Sequence, residues 1–260
     1  MKRIISIYSL LILVIVTTSC RRENFPCIKG KGSVQTQTRD VSSYSRIEFQ
    51  TEGTVYITVD TFYSMKIEAQ QNIIDDMQTE LNGNSLKIYN KHCLKNHEPI
   101  KIYITTPSLN GIDLSGSGNL IVSSKIEATD FDLNVSGSGD IELQDSLIAN
   151  SVTSNISGSG SMKMIAVCNS LTGKISGSGN ITVKGKTSSE KFTINGSGDI
   201  HSFDLSSLTA EITVSGSGAT EINVADNLDI TVSGSGDLYY KGNPTINSQM
   251  NGSGNLIHVN

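Results

Sequence analysis

The sequence predicts an all-β chain, a right-handed parallel β-helix (β-solenoid) with coils of about 20 residues and one column of SGSG turns. Three observations carry this. The tetrad SGSG or NGSG starts at Ser115, Ser136, Ser157, Ser176, Asn195, Ser215, Ser233 and Asn251, at steps of 21, 21, 19, 19, 20, 18 and 18 residues. A unit that short cannot bury a core by itself and must stack on its neighbours. The residue before every tetrad is apolar (Leu114, Val135, Ile156, Ile175, Ile194, Val214, Val232, Met250), and Ile112, Leu133, Phe192, Ile212 and Ile230 stand one alternation further back. That is a period-two strand running into a turn. Finally, 24 glycines, 5% aromatic residues and no tryptophan suit a narrow core of small and β-branched side chains. The right hand follows from the crossover rule for parallel strands.

Each coil is then expected to hold two strands joined by the tetrad and closed by a looser return. Stacked coils lie roughly 4.8 Å apart, so eight of them make a rod about 40 Å long. The corner glycines are Gly116 and Gly118, Gly137 and Gly139, Gly158 and Gly160, Gly177 and Gly179, Gly196 and Gly198, Gly216 and Gly218, Gly234 and Gly236, Gly252 and Gly254. They serve a structural purpose, letting backbone stack closely where a Cβ would intrude. The tetrad serines are expected to form hydroxyl ladders along one edge. After the tetrad comes a column of Asn119, Asp140, Ser161, Asn180, Asp199, Ala219, Asp237 and Asn255. Its Asn and Asp members are expected to cap the corner through their own backbone.

In chain order, residues 1–19 read as an export signal: Lys2 and Arg3, then an apolar stretch from Ile4 to Val16, too short to span a bilayer. Cys20 follows a small residue in the manner of a lipobox, and acylation there would anchor the chain to a membrane. Residues 20–33 are expected to be the acylated cysteine and a tether. Residues 34–260 form a single β-helical domain, with N-terminal coils over 34–110 and the tetrad coils over 111–260. Within the first part, Ile47 and Phe49, Val55, Ile57 and Val59, Met65, Ile67 and Ala69, Leu86 and Ile88, and Ile100, Ile102 and Ile104 alternate as strands. Residues 73–81 are the one stretch with a helical turn.

The succession RIEFQTEGTVYITV, MKIEAQQNIIDDMQTELNGNSLKIYN, IKIYITTPSLNGIDLSGSGNL and then repeated tetrads resembles the GIN head domains of autotransporter-type adhesins, a family of exported Bacteroidetes lipoproteins, over residues 44–260. The resemblance implies a parallel β-helix in the cell envelope, facing periplasm or exterior at the outer membrane. It implies no established activity.

Charge and composition narrow the partners. The formal charge of −5 falls by two more if Lys2 and Arg3 leave with the signal, and no basic stripe compensates, so nucleic acid is not an expected partner. The SGSGD phrase does not give the nine-residue carboxylate spacing of a calcium roll, and no two carboxylates of the column fall on neighbouring coils, as avoidance of like-charge contact requires. His92, Cys93, His97 and Glu98 cluster in one loop, but the two histidines are five residues apart, out of step with one face of a helix or strand. His201 and His258 read as isolated surface residues. No metal and no cofactor is expected. Cys27 pairing with Cys93, leaving Cys168 alone in a coil, is one pairing open to an exported chain. The expected function is a non-catalytic envelope lipoprotein that binds glycan or protein, with its membrane contact made through the lipid. The alternatives are a polysaccharide-acting enzyme using Asp199 and Asp237, two coils and roughly 9–10 Å apart, or a self-assembling structural protein. Oligomeric state is left open.

Overall fold

The computed structural model describes residues 27–260; the signal read over 1–19 and the acylation read at Cys20 lie outside the described residues. The chain is nearly all strand and winds into a solenoid of about seven turns with coils of about 20 residues.

The corners stand in a single column. Ser115, Ser136, Ser157, Ser176, Asn195, Ser215 and Ser233 follow one another in parallel register, and the glycines after them do the same. Backbone bonds carry the stacking through the turn itself: Ser178 N–H donates to Gly158 O and Ser197 N–H to Gly177 O, each at 2.9 Å. Because side chains alternate across a strand, the residues just before each tetrad all point inward, where Val135, Ile156, Ile175, Ile194, Val214 and Val232 are buried. One continuous core results, running from Tyr44 to Leu238.

The return half of the middle coils is not loose. Ser146, Leu147, Ile148 and Ala149 pair in parallel with Ile165, Ala166, Val167 and Cys168, and those four with Lys184, Gly185, Lys186 and Thr187. Leu147 and Ala166 point inward while Ile148, Ile165 and Val167 are exposed. Apolar residues on both faces hide the alternation that would have announced this third paired stretch.

The N-terminal coils depart from a uniform parallel helix. The elements here are β1 (Ile28–Lys29), β2 (Val34–Arg39), β3 (Arg46–Gln50), β4 (Thr54–Val59), β5 (Ser64–Gln70), α1 (Gln71–Asp76), β6 (Met77–Asn82), β7 (Ser85–Asn90), β8 (Leu94–Lys95) and β9 (Lys101–Thr106). β3 and β4 continue the solenoid ladder, each between a tetrad coil on one side and β7 or β9 on the other. β2 with β5, β5 with β9 and β6 with β7 are instead antiparallel. For β6 and β7 the connection decides this: Gly83 and Asn84 join them, and a link so short can only reverse the chain, whereas parallel neighbours need a long crossover. The helical stretch is shorter than the sequence implied, ending at Asp76 before β6 begins. Its Ile73 and Ile74 are buried and cover the end of the core.

Residues 27–33, read as part of the tether, are fastened to the domain. Cys27 is bonded to Cys93, and β1 pairs in parallel with β8. Among the described residues Cys168 is the free cysteine, and it is buried. The disulfide closes a loop of 66 residues, so Cys93→Ser is expected to cost about 2–4 kcal/mol, mostly by releasing the unfolded chain. Urea unfolding of the variant beside oxidised wild type measures it, and equal midpoints for oxidised and reduced wild type would count against a structural cross-link.

Candidate functional site

The strands entering the first corners carry a polar column on their outer side. Asp113, Asn134, Asn155 and Lys174 are successive register partners, and next to them run Ser115, Ser136, Ser157 and Ser176. Together they line a groove of about 320 Å³. Its hydrogen-bond direction is fixed from one end. Arg46 grips Asp113 with Nε to Oδ2 at 2.5 Å and Nη2 to Oδ1 at 2.8 Å, and reaches Asp132 Oδ2 with Nη1 at 3.2 Å. That bond to Asp113 raises the guanidinium pKa above its ordinary value despite partial burial. An ionised carboxylate only accepts, so Asn134 presents its amide Nδ2 to Asp113 Oδ1 at 2.7 Å. The carbonyl of Asn134 is thereby left to accept Asn155 Nδ2 at 2.9 Å. The outcome is a polarised row of amides beside a row of hydroxyls, at the repeat of the sheet.

The column after the corner uses its side chains differently from the sequence expectation. Asn and Asp here accept from the backbone of the next coil, not from their own. Asp140 Oδ1 accepts Ser161 N–H at 2.9 Å, Asn180 Oδ1 accepts Asp199 N–H at 3.1 Å, Asp199 Oδ1 accepts Ala219 N–H at 2.7 Å and Asp237 Oδ1 accepts Asn255 N–H at 2.8 Å. These bonds satisfy corner amides that the ladder would otherwise leave open. Asp199 and Asp237 are therefore both engaged in stacking, with the coil of Ala219 between them.

The loop histidines are tied to carboxylates. His92 Nδ1 lies 2.5 Å from Asp76 Oδ1, and His97 Nε2 lies 3.2 Å from Glu52 Oε1. Burial works against the charge on Asp76, but bonds from His92, Asn90 and the His92 backbone outweigh it and hold the carboxyl below its usual range. Among the described residues no group of three or more His, Cys, Asp or Glu is placed to hold a metal ion. His201 and His258, read as isolated, are not: His201 Nδ1 lies 2.9 Å from Glu221 Oε2, and the ring of His258 packs on Tyr240 with centroids 4.9 Å apart.

One ionisable group went unread in the sequence. Glu190 is 2% exposed and sits inward in a column with Leu171, Ala210 and Leu228. Ser207 Oγ donates to its Oε1 at 2.8 Å, while Oε2 is buried without a partner. Burial pushes this carboxyl up to about 8, against the pull of the Ser207 and Ser202 hydroxyls. Period two offered the signal, since Glu190 is in phase with the buried Phe192 and Ile194.

Comparison with known proteins follows the fold closely. A crystal structure titled "Putative lipid binding protein" from Parabacteroides distasonis superposes with a TM-score of 0.85 at 27% identity, over 90% of this chain and 100% of that one. Structures titled putative adhesins, from Parabacteroides distasonis and Parabacteroides merdae, superpose at 0.86 and 0.85 with 24% and 20% identity, over 90% of this chain and 100% and 99% of theirs; at that identity they share the fold. No curated protein matches the sequence. None of the described helices is long and apolar enough to cross a membrane. The family described as "Putative auto-transporter adhesin, head GIN domain" matches residues 43–165 and 135–244, and the chain belongs to it.

Proposed function

We propose that this protein is a non-catalytic, adhesin-like binding module of the cell envelope that holds glycan or protein ligands along the amide and hydroxyl ladder. The observation that carries the reading is the polarised row from Arg46 through Asp113 and Asn134 to Asn155. It repeats donors and acceptors at a constant step, which suits many weak contacts with an extended ligand; a catalytic site needs a few groups converging on one bond. Asp199 and Asp237, the two acids that an enzyme would need, each accept a backbone N–H of the next coil through Oδ1.

The test is a glycan-array and polysaccharide-degradation screen on the chain produced without its first 20 residues, run beside sizing over a concentration series. Retention without cleavage is expected, and Asn134→Ala with Asn155→Ala should weaken it about tenfold by removing two neutral hydrogen bonds. Product release that vanishes in Asp199→Asn would overturn the reading, as would growth in size with no ligand bound. Export and anchoring belong to the same proposal. Cys20→Ser should move the protein from the membrane pellet to the soluble fraction, and a variant that stays in the pellet ends the lipoprotein part.

A further inference from the structure

At the end of the solenoid that β2 and β6 close, those two strands flank a cleft of about 670 Å³ lined by Arg39, Asp40, Ile74, Asp75, Met77 and Leu81, among others. A second hollow of about 300 Å³ joins it at Arg39, Asp40, Val41 and Leu81. Both strands are edges: among the described residues β2 pairs only with β5 and β6 only with β7. Each therefore has one row of backbone N–H and C=O groups without a strand partner. Edges of this kind are normally blunted by lysine, proline or a bulge. Here the residues 34–38 of β2 carry neither charge nor proline, and Glu80 is the one charge of β6.

The side chains in the cleft say what would fit. Arg39, the cation, is already committed: its Nη1 donates to Thr79 Oγ1, its Nη2 to Ile74 O at 2.9 Å and its Nε to Gln37 Oε1 at 3.3 Å. Asp40 and Asp75 are exposed and, among the described residues, neither lies within salt-bridge distance of a cation; Asp75 accepts the Gln71 amide at 2.8 Å and acts on the Arg39 charge from further off. The acceptors that Arg39 holds are neutral and leave the guanidinium its charge, but two carboxylates stand against this one cation in the lining, so the cleft as a whole presents negative charge to a ligand. Leu81 is 48% exposed at the rim, above the buried Ile74, Met77 and Leu86.

We propose that this cleft is a docking site for an extended peptide segment of a partner protein, which adds as a strand to the open edge of β6. The segment places an aliphatic side chain against Leu81 and a lysine or arginine beside Asp40 and Asp75. Main-chain hydrogen bonds supply the affinity and the alternate side chains supply the choice of partner, as in other strand additions. The surface is separate from the ladder groove, and the inference stands or falls without it.

The full chain would be titrated with short blocked peptides alternating leucine and threonine, one series carrying lysines, one carrying glutamates in their place, and one lysine series N-methylated on the amides that would face β6. The lysine series is expected to bind and to slow amide hydrogen exchange in residues 77–82. Asp40→Asn with Asp75→Asn should weaken it about fivefold or more, the loss of exposed ion pairs, while leaving ladder-face binding unchanged. Equal binding by all three series, or binding with no protection in residues 77–82, would overturn the proposal. So would protection of those amides that grows with protein concentration in the absence of peptide, because the occupant would then be a second copy of the chain.

Discussion

Gly177→Val is expected to lower the stability of the solenoid by about 4 kcal/mol or more, a fall of roughly 8–16 °C in Tm for a domain of this size. Two separate costs combine. Gly177 has φ +135, a conformation that a β-branched residue adopts only under strain. A Cβ there would lie 2.3 Å from Gly158 O, the carbonyl that accepts Ser178 N–H at 2.9 Å. Backbone cannot retreat like a flexible side chain, so the coils must separate and lose that bond. Gly179 isolates the second cost: its φ is not in the left-handed region, yet a Cβ would meet Gly160 O at 2.4 Å and Ile156 Cγ2 at 2.6 Å. Gly179→Ala should therefore destabilise by close approach alone. Ser178→Ala, exposed at the same corner, is the control and should change little. Unfolding midpoints that match wild type in both glycine variants would show that the column of corners is not what the fold rests on.

This effect was legible because the corner is written in residue types that have only one use. A repeated glycine pair at constant spacing specifies close backbone stacking, and Leu114 through Met250 before it specify an inward side. What alternation cannot convey is direction. Met65, Ile67 and Ala69 of β5 alternate like any other strand, and only the pairing shows β5 running against β9. The polar groove was half legible in the same way. Its serines are part of the tetrad, but the order of the amides depends on Arg46, which lies 67 residues before Asp113 and joins it only through folding. The cleft beside β6 was not legible at all, since an open edge is a property of neighbours and leaves no mark on the strand itself.

Glu190→Leu is expected to make the protein more stable at alkaline pH by several kcal/mol and to leave it nearly unchanged in mild acid. The folded chain keeps a proton on Glu190 up to about pH 8, whereas the unfolded chain releases it near the ordinary value of 4.5. Between those limits the folded state holds more protons, so the stability contributed by the neutral acid is complete below 4.5 and is lost as pH rises through about 8. A displacement of that size corresponds to on the order of 5 kcal/mol. Leucine suits the position because Leu171 and Leu228 occupy the same inward column and Ala210, on the next coil, leaves room beside it. It also removes the unpartnered Oε2 and the charge that helps to raise the thiol pKa of Cys168. Urea titrations of both proteins at about pH 5 and about pH 9 isolate the effect, because every other titrating group is common to the pair and cancels in the difference. Parallel pH profiles would mean that Glu190 is not protonated in the fold. Curves that converge in acid and separate in alkali would identify this one side chain as what loosens the middle coils when the pH rises.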